Sequence, residues 1–139
     1  MAAIGTRLLK LTIGATEYTA QVSKCVITSA PSDADFTSFA DAAAGGARDY
    51  FLEFVAVQDP VTGTMWDQVW SAAGTTVTGK IQPFGNATAS VTQPHYTFSA
   101  VVTEPDGDLI GGEADSSTTA RMTIECKWAL TAKPEKVSA

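Results

Sequence analysis

Apolar and polar residues alternate with a period of two along most of this chain, which predicts strands with one buried and one solvated face. Residues 7–13 set Leu9, Leu11 and Ile13 on one side. Residues 17–27 follow Gly14-Ala15 and gather Tyr18, Ala20, Val22 and Val26 on a face that Lys24 interrupts, so the two runs read as a hairpin turning at Gly14. Residues 50–57 (Tyr-Phe-Leu-Glu-Phe-Val-Ala-Val) are largely apolar on both faces and predict a central strand. Residues 76–82 turn Val77 and Ile81 inward and Thr76, Thr78, Lys80 and Gln82 outward. Residues 96–103 set Tyr96, Phe98, Ala100 and Val102 against Thr97, Ser99, Val101 and Thr103. The clearest alternation is 120–130, with Ala120, Met122, Ile124, Cys126, Trp128 and Leu130 inward and Arg121, Thr123, Glu125 and Lys127 outward.

Two stretches depart from this pattern. In 64–73 the period lengthens, and Trp66, Val69, Trp70 and Ala73 fall at i, i+3, i+4 and i+7, between a capping Thr64 and a terminating Gly74. This stripe predicts a short helix packed on a sheet through Trp66, Val69 and Trp70. Residues 28–49 hold Pro31, Asp33, Asp35 and Gly45-Gly46 and read as a long loop, with a helical turn over 37–44. Loops of this length in a compact domain are often functional, and Phe36 and Phe39 are apolar anchors for docking it on something.

Shorter connections are a turn at Pro83-Phe84-Gly85-Asn86, a tight hairpin-like link at Glu104-Pro105-Asp106-Gly107-Asp108, and a flexible point at Gly111-Gly112. The tail 133–139 reads as loosely held or docked on a partner. The sum is a single all-β domain over 1–139, a β-sandwich or barrel of six or seven strands with one flanking helix. Neither an internal repeat nor a low-complexity tract is found.

Composition narrows the function. At 45% hydrophobic, the 139 residues can build a core, while the charged fraction of 17% is low enough to suggest surface hidden in an assembly. A net charge of -6 argues against gripping nucleic acid through phosphates. Cys25 and Cys126 form no C-x-x-C and read as buried, reduced thiols, with their pairing left open. The N-terminus lacks the pattern of a signal peptide, and no run approaches the length of a membrane span.

Catalytic patterns are missing. His95, the single histidine, excludes a two-His metal site and, following Pro94 at the start of a strand, reads as structural. No Gly-x-Ser-x-Gly elbow supports a hydrolase. Asp106-Gly107-Asp108, with Glu104, Glu113 and Asp115, lacks the spacing of a calcium loop. Asn86-Ala87-Thr88 matches a glycosylation acceptor without a secretory leader to give it meaning. The expectation is a protein that is not an enzyme and carries no metal or cofactor.

From Phe51 to Trp128 an ordered set of features resembles the major tail proteins of siphophages, especially those of actinobacteria. It comprises Val57-Gln58-Asp59, the helix from Met65 to Gly74, Thr76-Val77, Pro83-Phe84-Gly85-Asn86-Ala87-Thr88, Gln93-Pro94-His95-Tyr96, Gly111-Gly112-Glu113-Ala114, and the ending from Trp128 to Pro134. Phe36 to Asp41 and the Gly-Gly of the long loop fit less specifically. The resemblance implies a β-sandwich tail tube subunit, assembled in the host cytoplasm into hexameric rings that stack as a virion tail. It also implies contacts with tape measure, terminator and distal tail proteins. DNA would pass through the lumen without specific binding. The long loop would reach the adjacent ring, with Phe36, Phe39, Asp41 and Arg48 as candidates. Glu53 and Glu125 are candidates for an acidic lumen wall that repels DNA. The competing readings are a capsid decoration protein and a carbohydrate-binding module using Trp66, Trp70 or Trp128.

Overall fold

The alternation becomes eight strands in the computed structural model, which describes residues 3–32 and 36–139. Strands β1 (Lys10–Ile13), β2 (Thr16–Glu17), β5 (Thr76–Gln82), β6 (His95–Val101) and β8 (Glu135–Val137) form a five-stranded sheet in the order β2-β1-β5-β6-β8. Strands β3 (Val22–Pro31), β4 (Arg48–Val57) and β7 (Thr123–Ala129) form a three-stranded sheet with β4 at its centre. Every pairing in both sheets is antiparallel.

The chain is all-β, with one core shared by the two sheets. Leu11, Ile81, Phe98 and Ala100 from the larger sheet join Leu52, Phe54, Ile124 and Trp128 from the smaller in a single buried cluster. Phe54 and Trp128 meet edge to face at its centre, with ring centroids 4.8 Å apart, an arrangement that suits the aromatic quadrupoles. The sheets are joined at one corner. Leaving β7, Leu130 N–H donates to Tyr50 O (2.8 Å) and Thr131 N–H to Ser99 O (2.9 Å), so the chain crosses to the larger sheet before β8.

Several expectations change. The run 17–27 is not one strand: β2 is followed by a 3-10 turn at Thr19–Gln21, and β3 carries a register shift between Val22 and Lys24. A one-residue slip moves side chains to the opposite face. Cys25 and Ile27 therefore pack on the core, while Val26 is exposed and Ala20 lies at the surface. Residues 28–49 are not all loop either. Pairing continues out to Ala30↔Asp49 and Pro31↔Arg48, which leaves an arm of 32–47 at the tip of a long hairpin. Within it α1 (Phe39–Ala43) is capped by Ser38 Oγ, which accepts from Asp41 N–H at 3.1 Å. Asp33 and Asp35, read as turn formers, lie outside the described residues.

The tail 133–139 is held by its own chain, since β8 pairs with β6 through His95↔Val137, Tyr96↔Lys136 and Thr97↔Glu135. Helix α2 (Met65–Ser71) starts on Thr64 as expected but stops short of Ala73, which is exposed. Gln82 is buried rather than outward, and Tyr96 is only half-buried. Ala120 and Met122 precede β7 and are exposed, so the final alternation is structural only from Thr123 onward.

Asp106-Gly107 turns no hairpin, because β6 and β7 belong to different sheets. Residues 102–122 instead form a second long connection. Indole and amide side chains pin it: Trp128 Nε1 donates to Thr103 O (3.1 Å) and Trp66 Nε1 to Leu109 O (2.9 Å). Gln58 exchanges two bonds of 2.8 Å with the Gly111 backbone. Satisfying these buried or half-buried groups fixes a segment that has no ladder of its own.

Candidate assembly surfaces

The arm presents bare aromatic rings. Phe36 is 79% and Phe39 97% exposed, and Asp41 beside them is exposed too. Burying such a ring stabilises by roughly 1.5–3 kcal/mol, a gain that the single chain leaves unused. Arg48 is not part of the arm. It sits in β4 opposite Pro31, and its Nη2 donates to Ser29 Oγ at 3.1 Å, tying the base of the hairpin.

The helical stripe is only partly inward. Met65, Trp66 and Val69 are buried, and the cap is fixed by Thr64 Oγ1, which donates to Asp59 O at 2.6 Å and accepts from Asp67 N–H at 3.2 Å. Trp70 does not pack on the sheet. It is 52% exposed and stacks on the outer side of Trp66, with centroids 5.4 Å apart. Met65 and Val69, at i and i+4, fill the inward face of the helix, so Trp70 lies at its margin and its ring covers that of Trp66.

Glu53 and Glu125 both project from the outer face of the three-stranded sheet. The strand 50–57 is thus fully buried on its inner face only, with Leu52, Phe54 and Ala56 buried and Phe51, Glu53 and Val55 half-exposed. Glu53 is paired in register with Lys127, whose Nζ lies 4.3 Å from the Phe51 ring centroid. Between this face and residues 103–108 runs a cleft of about 870 Å³. Its lining carries five carboxylates, Glu53, Glu104, Asp106, Asp108 and Glu125, against one lysine. Among the described residues no group of three or more His, Cys, Asp and Glu side chains is arranged to hold a metal ion.

Strand β3 is a ten-residue edge, hydrogen-bonded only to β4 among the described residues. Such an edge offers backbone groups to another strand. The opposite edge, β7, is partly used, since Thr103 Oγ1 donates to Lys127 O at 3.1 Å. An apolar groove of about 650 Å³ lies between the sheets. Ile81 and Tyr96 line it from one sheet, with Leu9 just before β1, and Cys25 and Ile27 from the other, and the exposed Lys133 and Lys136 border it.

Cys25 and Cys126 are free. Both are in register with Phe54, one on each side. Two interstrand spacings separate them by about 9.6 Å, beyond the roughly 7 Å limit for a disulfide. Burial pushes both thiols up to about 12. His95 is buried, and its Nε2 lies 2.9 Å from Asn86 O, the same carbonyl that accepts from Gln82 Nε2 at 2.9 Å. The ring therefore holds the turn at 83–86 in place.

Sequence reasoning missed the groove and the acidic contribution of residues 104–108. The Asp-Gly-Asp run read only as a turn, and the lysines at 133 and 136 as part of a loose tail. No local pattern says which sheet a connection will lie against. Comparison with protein-family models, curated proteins and solved structures finds no match to the chain.

Proposed function

We propose that this chain is a non-enzymatic structural subunit that assembles with itself, as a ring-forming and stacking component of a phage tail tube. The observation that carries the reading is the arm. Two phenylalanines stand 79% and 97% exposed at the tip of a hairpin whose strands are otherwise paired and packed. A surface of this kind is covered in use. The unpaired ten-residue edge of β3 supports the same reading, because edge pairing between copies extends a sheet around a ring. The outer face of the three-stranded sheet, with Glu53 and Glu125, is then the candidate lumen wall. Its excess of carboxylates would keep the DNA backbone from adhering.

Negative-stain microscopy of the purified protein, with its mass distribution measured across concentration, tests the proposal. Rings and tubes of regular diameter are expected. A protein that stays monomeric at every concentration is not a tube subunit. Discs or shells without tubes would point to a capsid decoration role instead. One observation favours a second reading: the exposed face of Trp70 on Trp66 is a flat aromatic platform of the type that carbohydrates stack on. Glycan binding by a stable monomer, lost in Trp70→Ala, would support that module.

A further inference from the structure

We infer that the groove between the sheets, lined by Leu9, Ile27, Ile81 and Tyr96, is the receptor for the arm of a second copy of this chain. The inference rests on the self-assembly reading and gives the arm its address.

Size and chemistry agree on the two sides. The groove encloses about 650 Å³, within the range of about 300–1,000 Å³ typical of pockets that enclose compact organic ligands. The walls are apolar where the arm offers Phe36 and Phe39. The charges are opposite as well. Residues 36–47 carry Asp41 and no lysine or arginine. The groove lining holds Lys133 and Lys136 and no carboxylate. The Asp41 carboxylate beside the aromatic anchors meets basic residues beside the apolar walls, a match that fixes orientation as well as adding attraction.

The arm does not fill the groove of its own chain, since both rings are bare. Arm and groove are different patches of one surface. A contact between them can run head to tail, and repeated in that way it yields rings or open filaments. Apolar burial supplies the affinity, and the lysines select this arm over other apolar segments.

A photo-crosslinking amino acid tests the assignment without removing the anchor. With p-benzoylphenylalanine at position 39 of the full chain, irradiation of the assembled protein should give covalent multimers. Their crosslinked peptides should map to residues 9, 25–29, 81, 96 and 133–136 of another copy. Lys133→Glu with Lys136→Glu should lower the crosslink yield several-fold while the melting temperature stays unchanged, because both side chains are exposed. Asp41→Lys should restore the yield in that background. If tubes form but the crosslinks fall elsewhere, or within one chain, the groove assignment is wrong and the assembly reading stands. If the unmodified protein forms no tubes and the crosslinker joins no two copies at high concentration, both are wrong.

Discussion

Trp66 and Trp70 stack with their ring planes 23° apart and their centroids 5.4 Å apart, yet one ring is 7% and the other 52% exposed. Helical spacing gave them equal standing, but tertiary packing does not. Trp66→Ala removes a buried ring and the indole bond to Leu109 O, and should destabilise by about 3–5 kcal/mol. Trp70→Ala removes mainly the stack and should cost about 0.5–1.5 kcal/mol. Urea unfolding of the two variants measures the difference. Equal losses would mean that Trp70 is more deeply packed than its exposure indicates.

Gly79 lies between Ile13 of β1 and Phe98 of β6. A Cβ there would stand 2.7 Å from Thr12 O and 2.9 Å from Phe98 Cζ. The first of these is backbone in a paired strand and cannot swing aside. Gly79→Ala should therefore destabilise by about 1–3 kcal/mol, although alanine is ordinarily tolerated where glycine occupies a strand. A melting temperature at or above that of the unsubstituted protein would show that β1 and β5 yield easily.

Replacing residues 36–47 by a short Gly-Ser linker should leave a folded monomer. The β3–β4 ladder ends at Pro31↔Arg48, so the replaced stretch makes no part of it, and shortening a loop changes closure entropy only modestly. The variant should lose stacked tubes under electron microscopy. Tubes of normal appearance would place the stacking contact elsewhere and leave Phe36 and Phe39 without that role.

The thiols make a pH prediction with a definite sign. Both have folded values near 12 against an ordinary 9.0, so between those limits the folded state retains protons that the unfolded chain has lost. The stability contributed by keeping them neutral is intact below about pH 9 and falls as pH rises toward 12. Denaturation curves across this range should show a smaller decline in Cys25→Ala than in the unsubstituted protein. Thiol reagents should label the native protein slowly at neutral pH, and mild oxidation should produce no internal disulfide. An intramolecular bridge would contradict the register around Phe54.

The sequence alone determined the elements whose signal is local. Alternation marked β1, β5 and β6 and placed Cys126 and Trp128 inward, because period-two burial is written into each of those strands, while a continuous apolar run marked β4. Thr64 marked the start of α2, and Phe36 and Phe39 stood out as apolar residues in a polar arm. What only the tertiary structure decided is everything that depends on a neighbour far along the chain. The bulge after Val22 exchanged Val26 for Cys25 and Ile27 on the core face, which no single-strand pattern reveals. The tail became β8 because β6 offered it an edge. Residues 104–108 joined Glu53 and Glu125 in one acidic cleft because the indoles of Trp66 and Trp128, with Gln58, hold the 102–122 connection in place. Hydrogen bonds and packing between residues distant in sequence made these choices, and local periodicity carries no record of them.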